Sequence, residues 1–221
     1  MKQLLAQVGT IAALALALAV VTPTSSMAEA GLSYVVKPVA EKKITKLPDG
    51  PLYWRVETFP TLVDAKAAVG PDGWDPAAVS YATKTALIAE VAGQVYVVTL
   101  GAQGASTPGG IKVAEIGPLP PVSAPEYLLR LNHGSGPPGS ATPAHSHPGS
   151  ESFYVISGRL GQKTSEGTAY VDAGHTMNGH ASDTTMQVLN AGQTELQALI
   201  MFVVDARQTF SVPRKFAGSD H

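Results

Sequence analysis

The sequence predicts an all-β fold, a barrel or sandwich, and three observations carry that expectation. Gly and Pro are plentiful, at 22 and 17 of 221 residues. Charged residues make up only 14% against 44% hydrophobic, a balance that suits short strands joined by turns better than long helices. Beyond residue 125, runs of strand-forming residues follow one another closely, and almost every gap between them holds Gly, Asn, Asp or Pro. Such spacing argues for antiparallel sheets and against alternating β and α units.

The first thirty residues read as a secretory signal peptide. Lys2 supplies the positive end, Ile11 to Val21 is an apolar run, and Ala28-Glu29-Ala30 has the small-x-small form of a cleavage site. The run is too short to cross a bilayer comfortably, so no transmembrane span is expected in the mature chain, Gly31 to His221. A secreted or periplasmic location follows as the expectation. The chain has no Cys, which rules out disulfides and a lipid-modified N-terminus, so the core must carry the stability. The net charge is -2, with Lys and Arg scattered. No nucleic acid is expected as a partner, because that needs a clustered basic stripe.

Gly31 to Gly50 is mixed and polar, a lead-in with one edge strand. Leu52 to Phe59 alternates and is rich in aromatic and β-branched residues, so it is a strand. Thr61 and Asp64 have capping-box spacing and Gly70 marks a stop, which brackets a short helix. Pro71 to Thr85 reads as loop, with Trp74 as a local anchor. Ala86 to Leu100 is a hairpin turning near Ala92-Gly93, and Ile111 to Ile116 is another strand. The proline cluster from Gly117 to Pro125 is the best internal boundary. It separates a β-rich N-terminal region, 31–121, from a second region, 122–213, with 214–221 as a tail. Strands are expected there at Glu126 to Asn132, Ala144 to His147, Ser152 to Ser157, Thr168 to Asp172, Met186 to Asn190 and Leu196 to Val204. Ala198 to Val204 is apolar at every position and reads as buried on both faces.

The chemistry concentrates near the middle of that second region. His145 and His147 are two apart, so on a strand both imidazoles point to one face. Pro148-Gly149-Ser150 turns the chain, and Glu151 opens the next strand beside them. Two His and one carboxylate on a common face form a recurrent site for a divalent ion. Phe153 and Val155 share the face of Glu151 by alternation and line an apolar pocket, while Tyr154 and Ile156 point outward. A carboxyl in such a pocket has a raised pKa, so Glu151 is also the candidate catalytic base. Arg130 offers a charge to an anionic ligand or is a surface residue. His133 is expected as an ordinary satisfied polar group.

The segment from Gly139 to Gly158 reads Gly, five residues, His145, one, His147, three, Glu151, six, Gly158. At every fixed position it resembles the first motif of the cupin superfamily. The resemblance covers roughly Glu126 to Pro213. It implies a jelly-roll β-barrel holding one divalent metal ion (Fe, Mn, Zn, Ni or Cu) inside one end, with 31–121 as a β-rich extension. The family's second motif is only partly matched. Asn190 fits its closing Asn, but Met186 stands where the fourth ligand, a His, is usual, and Ala181 replaces its proline. Four readings of the position remain. Met186 ligates through its thioether, or it fills core. Alternatively His180 or His175 swings in from the preceding loop, or water completes the set. The resemblance further implies a small-molecule ligand, with oxygenases, isomerases and decarboxylases among the possible activities. The alternative is non-catalytic binding of a small molecule or of the metal. A homodimer is also compatible with the resemblance.

Overall fold

The structure, a computed structural model, describes residues 33–70 and 82–216. The expected leader, Trp74, most of the loop around it and the last five residues of the tail lie outside the described residues. No helix among the described residues is long and apolar enough to cross a membrane.

The chain is built from strands β1 (Val35–Ile44), β2 (Tyr53–Phe59), β3 (Ala86–Val91), β4 (Gln94–Gly101) and β5 (Ile111–Ile116) in its first half. The second half adds β6 (Tyr127–Gly136), β7 (His145–Ser146), β8 (Gly149–Ser157), β9 (Arg159–Thr164) and β10 (Gly167–Asp172). It closes with β11 (Thr176–Asn178), β12 (Gln187–Asn190), β13 (Leu196–Asp205) and β14 (Val212–Pro213). Helix α1 (Leu62–Val69) starts where Thr61 accepts from the Asp64 amide, and stops at Gly70. A single helical turn, α2 (Ala82–Thr85), stands at the end of the stretch read as loop.

One barrel wall is a five-stranded sheet in the order β1-β6-β13-β8-β11. The other wall is made of the sheets β10-β9-β12 and β14-β7. All named strand pairs are antiparallel. A separate four-stranded sheet, β3-β4-β2-β5, is formed by the N-terminal region. The described residues make one compact unit, and the proline cluster is a connection within it. The lead-in supplies the edge strand β1, which pairs along its length with β6 and so belongs to the barrel wall itself.

Two cores sit on either side of β13. Ala198, Ile200, Phe202 and Val204 face the barrel interior with Phe153, Val155 and Leu160. Leu199, Met201 and Val203 face out, against Trp54, Val56, Leu87 and Val98 of the N-terminal sheet. This is why the 198–204 run is apolar throughout: each face has its own partner layer. Tyr154 and Ile156 do turn away from the barrel, but they pack on that second core. Helix α1 covers the far face of the N-terminal sheet through Ala65 and Val69. On that same face Arg55 and Glu57 form a buried ion pair at 3.0 Å, and Thr107 bonds both residues.

Candidate metal centre

His145 and Glu151 reach the site from different walls. Glu151 lies on β8, between β13 and β11 in the five-stranded sheet, and its partner on β13 is Phe202. His145 lies on the two-residue strand β7, which pairs with β14. It also bridges Met186 through two backbone bonds, 2.9 Å and 2.8 Å. His147 follows directly, before the turn into β8. The motif's closing residue, Gly158, has φ 78°, a left-handed turn conformation that glycine takes without strain. It ends β8 and sends the chain into β9.

One ligand atom from each of His145, His147 and Glu151 lies within 4.8 Å of the others. The two rings meet edge to face with centroids 4.8 Å apart. The tautomers are set from outside the group. His145 Nδ1 donates to the Pro143 carbonyl at 2.8 Å, and His147 Nδ1 donates to the Phe210 carbonyl at 2.6 Å. Both Nε2 atoms are thereby left as lone-pair donors, the arrangement that metal-binding histidines use. His147 Nε2 is buried and has no hydrogen-bond partner. It stands 3.9 Å from Glu151 Oε1, too far for a hydrogen bond yet within the roughly 4 Å that two ligands on one ion can span.

Burial sets the electrostatics. It pushes the Glu151 carboxyl up to about 8, against a smaller downward pull from Gln162. It pushes His147 down to about 4, which the Phe210 carbonyl only partly offsets. Without an ion both groups are neutral near pH 7, so their proximity is not an ion pair. A divalent cation would find the neutral His147 imidazole, the His145 ring beside it and a carboxyl that must surrender its proton. The orphaned Nε2 and this donor set fit such an ion. His147 is further fixed among Phe202 and Phe210, each with ring centroid 4.8 Å away.

Met186 is buried to 1% exposure, directly across from His145. Its Sδ accepts from Gln162 Nε2 at 3.2 Å, and the same Nε2 donates to Glu151 Oε2 at 3.0 Å. Gln162 thus holds one carboxylate oxygen and leaves Oε1 facing His147. Swinging Glu151 free as a base would require that bond to break. His175 is exposed, with Nδ1 on the Ala173 carbonyl at 3.0 Å. Neither it nor His180 belongs to the ligand group found among the described residues. His133 is half-buried, and burial lowers its pKa; its Nε2 is buried without a hydrogen-bond partner, so it is not the fully satisfied group expected. Ser146 faces away from the ligands and accepts from Arg214 Nε at 3.0 Å. Residues 214–216, expected as tail, therefore run along the barrel rim.

The ligand group opens on a cavity of about 480 Å³. Val188, Ile200, Phe202 and Phe210 give it apolar walls, and Tyr34, Arg130 and Asn132 add polar groups. Arg130 lies over the Phe210 ring at 4.1 Å and is paired with Glu41 at 2.7 Å and 2.9 Å. Four of these contributors escape a reading of the sequence: Tyr34, Asn132, Gln162 and Phe210. For Gln162 a signal exists, since alternation from the apolar Leu160 turns it inward. Tyr34 carries none, because only the β1–β6 pairing brings it to the site.

No family model and no curated relative matches the chain. Solved structures similar to it include a DMSP lyase from Ruegeria pomeroyi, at 19% identity and TM-score 0.35, over 41% of this chain and 45% of that one. A polyketide cyclase from Streptomyces resistomycificus is 15% identical at TM-score 0.34, over 41% and 63%. A cupin superfamily protein from Desulfitobacterium hafniense is 10% identical at TM-score 0.32, over 35% and 68%. The chain spans less than two thirds of the length of the first two. The likeness is one of fold. The strand order, the inward-facing site and the complete first motif make this chain an all-β protein with a cupin-type barrel and a β-rich N-terminal extension.

Proposed function

We propose that this protein is a metal-dependent cupin that binds one divalent ion on His145, His147 and Glu151 and acts on a small molecule in the adjoining cavity. The observation that carries the reading is His147 Nε2, a buried lone pair without a partner, aimed between a second imidazole and a carboxyl. An unpaired buried polar atom costs about 1–3 kcal/mol; His133 Nε2 is unpaired as well, but it is His147 that has a second imidazole and a carboxyl beside it. When bound, the ion supplies Lewis acidity that polarises an oxygen of the bound molecule. The chain's own residues do the rest. Pro143 and Phe210 hold the imidazole tautomers, Gln162 orients the carboxyl, and the apolar walls exclude water. Two nitrogen donors and one oxygen donor suit iron, manganese, nickel or zinc, whereas thioether ligation by Met186 would favour copper. The Met186 sulfur is engaged by Gln162, which favours the three-ligand reading. Secretion under the N-terminal leader completes the proposal.

The test is elemental analysis of the protein and of His145→Ala, His147→Ala and Glu151→Gln. One equivalent of metal in the parent and loss in all three variants is expected. Full retention in both histidine variants would overturn the site. A second reading, binding without turnover, is favoured by the Gln162 bond that restrains Glu151. Turnover of a small oxygen-bearing substrate by the loaded protein separates the two.

A further inference from the structure

The cavity wall carries two buried polar groups that are not among the candidate metal ligands. Tyr34 precedes β1, and its neighbour Ser33 bridges Ala141. Its ring reaches into the barrel, and its hydroxyl is buried without a hydrogen-bond partner. Asn132 on β6 also lines the cavity, and its Oδ1 is likewise buried and unpartnered. Relative exposures are 8% for Tyr34 and 2% for Asn132. Arg130, Asn132 and Gly134 alternate along one face of β6. A Cβ on Gly134 would stand 2.5 Å from the Tyr34 hydroxyl. Only glycine there lets the phenol sit two positions along from Asn132.

Phe and Leu would fill these two places without an unpaired atom. Each orphan costs about 1–3 kcal/mol, and the surrounding wall of Val36, Val188 and Ile200 offers it nothing. A phenol is neutral at pH 7 and donates one hydrogen bond, while the amide oxygen accepts one. The small group that accepts one bond and donates one is a hydroxyl. Charge is wanted only at the other end. Arg130 is already neutralised by Glu41, whereas a divalent ion on two neutral imidazoles and one carboxylate keeps one positive charge.

Resting on the proposed metal site, we infer that Tyr34 and Asn132 form a recognition pole for the hydroxyl of a small monoanionic hydroxy acid whose anionic end faces the metal ligands. The ligand hydroxyl accepts from Tyr34 Oη and donates to Asn132 Oδ1, so both buried atoms gain the partner they lack. The apolar walls of the cavity select a short carbon chain. Tyr34 is then a specificity-determining residue supplied by the segment before the barrel.

The experiment uses full-length protein loaded with Zn²⁺, its metal content measured first. Probes are ω-hydroxy acids of three, four and five carbons, each paired with the parent acid lacking the hydroxyl, in calorimetric titrations. At least one hydroxy acid should bind tenfold or more tighter than its parent, since a site built for a hydroxyl rejects the analogue without it. Tyr34→Phe should bring that ratio within about twofold, with metal content unchanged. A ratio near one for every pair, or a preference that survives Tyr34→Phe, overturns the inference and leaves the metal site standing. Absence of bound Zn²⁺ in the parent protein overturns both.

Discussion

Replacing Gln162 by Met keeps the side-chain volume and removes one amide. That amide lies in the core at 1% exposure, with Nε2 3.0 Å from Glu151 Oε2 and Oε1 without a partner. With an ion bound, Glu151 is a carboxylate and the Nε2 bond is charge-assisted, the stronger kind. Losing an outer partner of a ligand typically costs 10–100-fold in metal affinity, about 1.4–2.7 kcal/mol. In the metal-free protein near pH 7 the carboxyl is protonated, so the same bond contributes less. Removing the orphaned Oε1 relieves about 1–3 kcal/mol, which offsets the similar cost of leaving the protonated Glu151 without its Gln162 partner. Metal affinity should therefore fall roughly 10–100-fold, while the melting temperature of the metal-free protein stays level or rises. Competition against a chromogenic chelator reads the first quantity, and thermal melts in chelator read the second. Unchanged affinity in a folded Gln162→Met protein would refute the role given to this residue. A collapse of metal-free stability would show instead that Gln162 is a structural strut.

Glu151 must lose a proton to ligate, and burial holds that proton up to about pH 8. Zn²⁺ affinity should therefore drop about tenfold per pH unit below 8. His147, neutral down to about 4, adds no proton over the upper part of that range. A flat profile between about pH 7 and 8 in a chelator titration would contradict this. The same raised pKa means that Glu151's share of metal-free stability is complete below the ordinary carboxyl range and is lost as pH climbs to about 8. The lowered His147 pKa works in the opposite sense up to its ordinary 6.5, so thermal melts in chelator should show the net decline above that pH. Met186→His should place an imidazole across from His145 and tighten Zn²⁺ at least about tenfold. Met186→Leu should leave affinity within about threefold, because the thioether's polar neighbour is Gln162. A selective loss of copper in Met186→Leu would instead assign Met186 as a ligand. A fragment from Glu126 to His221 exposes Leu129, Leu131, Leu199, Met201 and Val203, all buried in the whole chain. At about 1.5–3 kcal/mol each, that exceeds what a marginally stable domain can lose. Soluble, cooperative melting of the fragment would show that the N-terminal sheet is dispensable.

What the sequence disclosed follows the distance between partners along the chain. His145, His147 and Glu151 are close neighbours, so strand alternation and one turn place them together. The 198–204 strand was legible because an unbroken apolar run too short for a membrane span needs a covering layer on each face. β9, Arg159–Thr164, was not read as a strand, since most of its residues are polar and Gly161 interrupts it. Yet Leu160, Gln162 and Thr164 are all buried, and Gln162 is what orients Glu151. β11 is three residues long and is defined only by pairing with β8. The pairing of β1 with β6 is equally non-local, and it decides that Tyr34 enters the barrel. Outward-facing Tyr154 and Ile156 were correctly oriented, but alternation cannot say that a second sheet covers them.

The two walls that meet at the site differ in how firmly they are held. Glu151 stands within a five-stranded sheet whose β13 is packed on both faces, so its Cα has little freedom. His145 and His147 sit on and after a strand of two residues. That strand is secured by β14, by the Met186 bridge and by the bonds from Arg214 to Ala144 and Ser146. Phe210, whose carbonyl fixes His147, lies in the segment leading into β14. An ion bound to all three residues would therefore join the sheet to the rim, with most of the ordering falling on the rim. The same segment borders the cavity through Phe210, Ser211 and Pro213. Metal binding and ligand access thus share one short stretch of chain. The ion's contribution to stability should appear first there, in slower amide exchange from His145 to His147 and from Phe210 to Arg214, while β13 is protected with or without it.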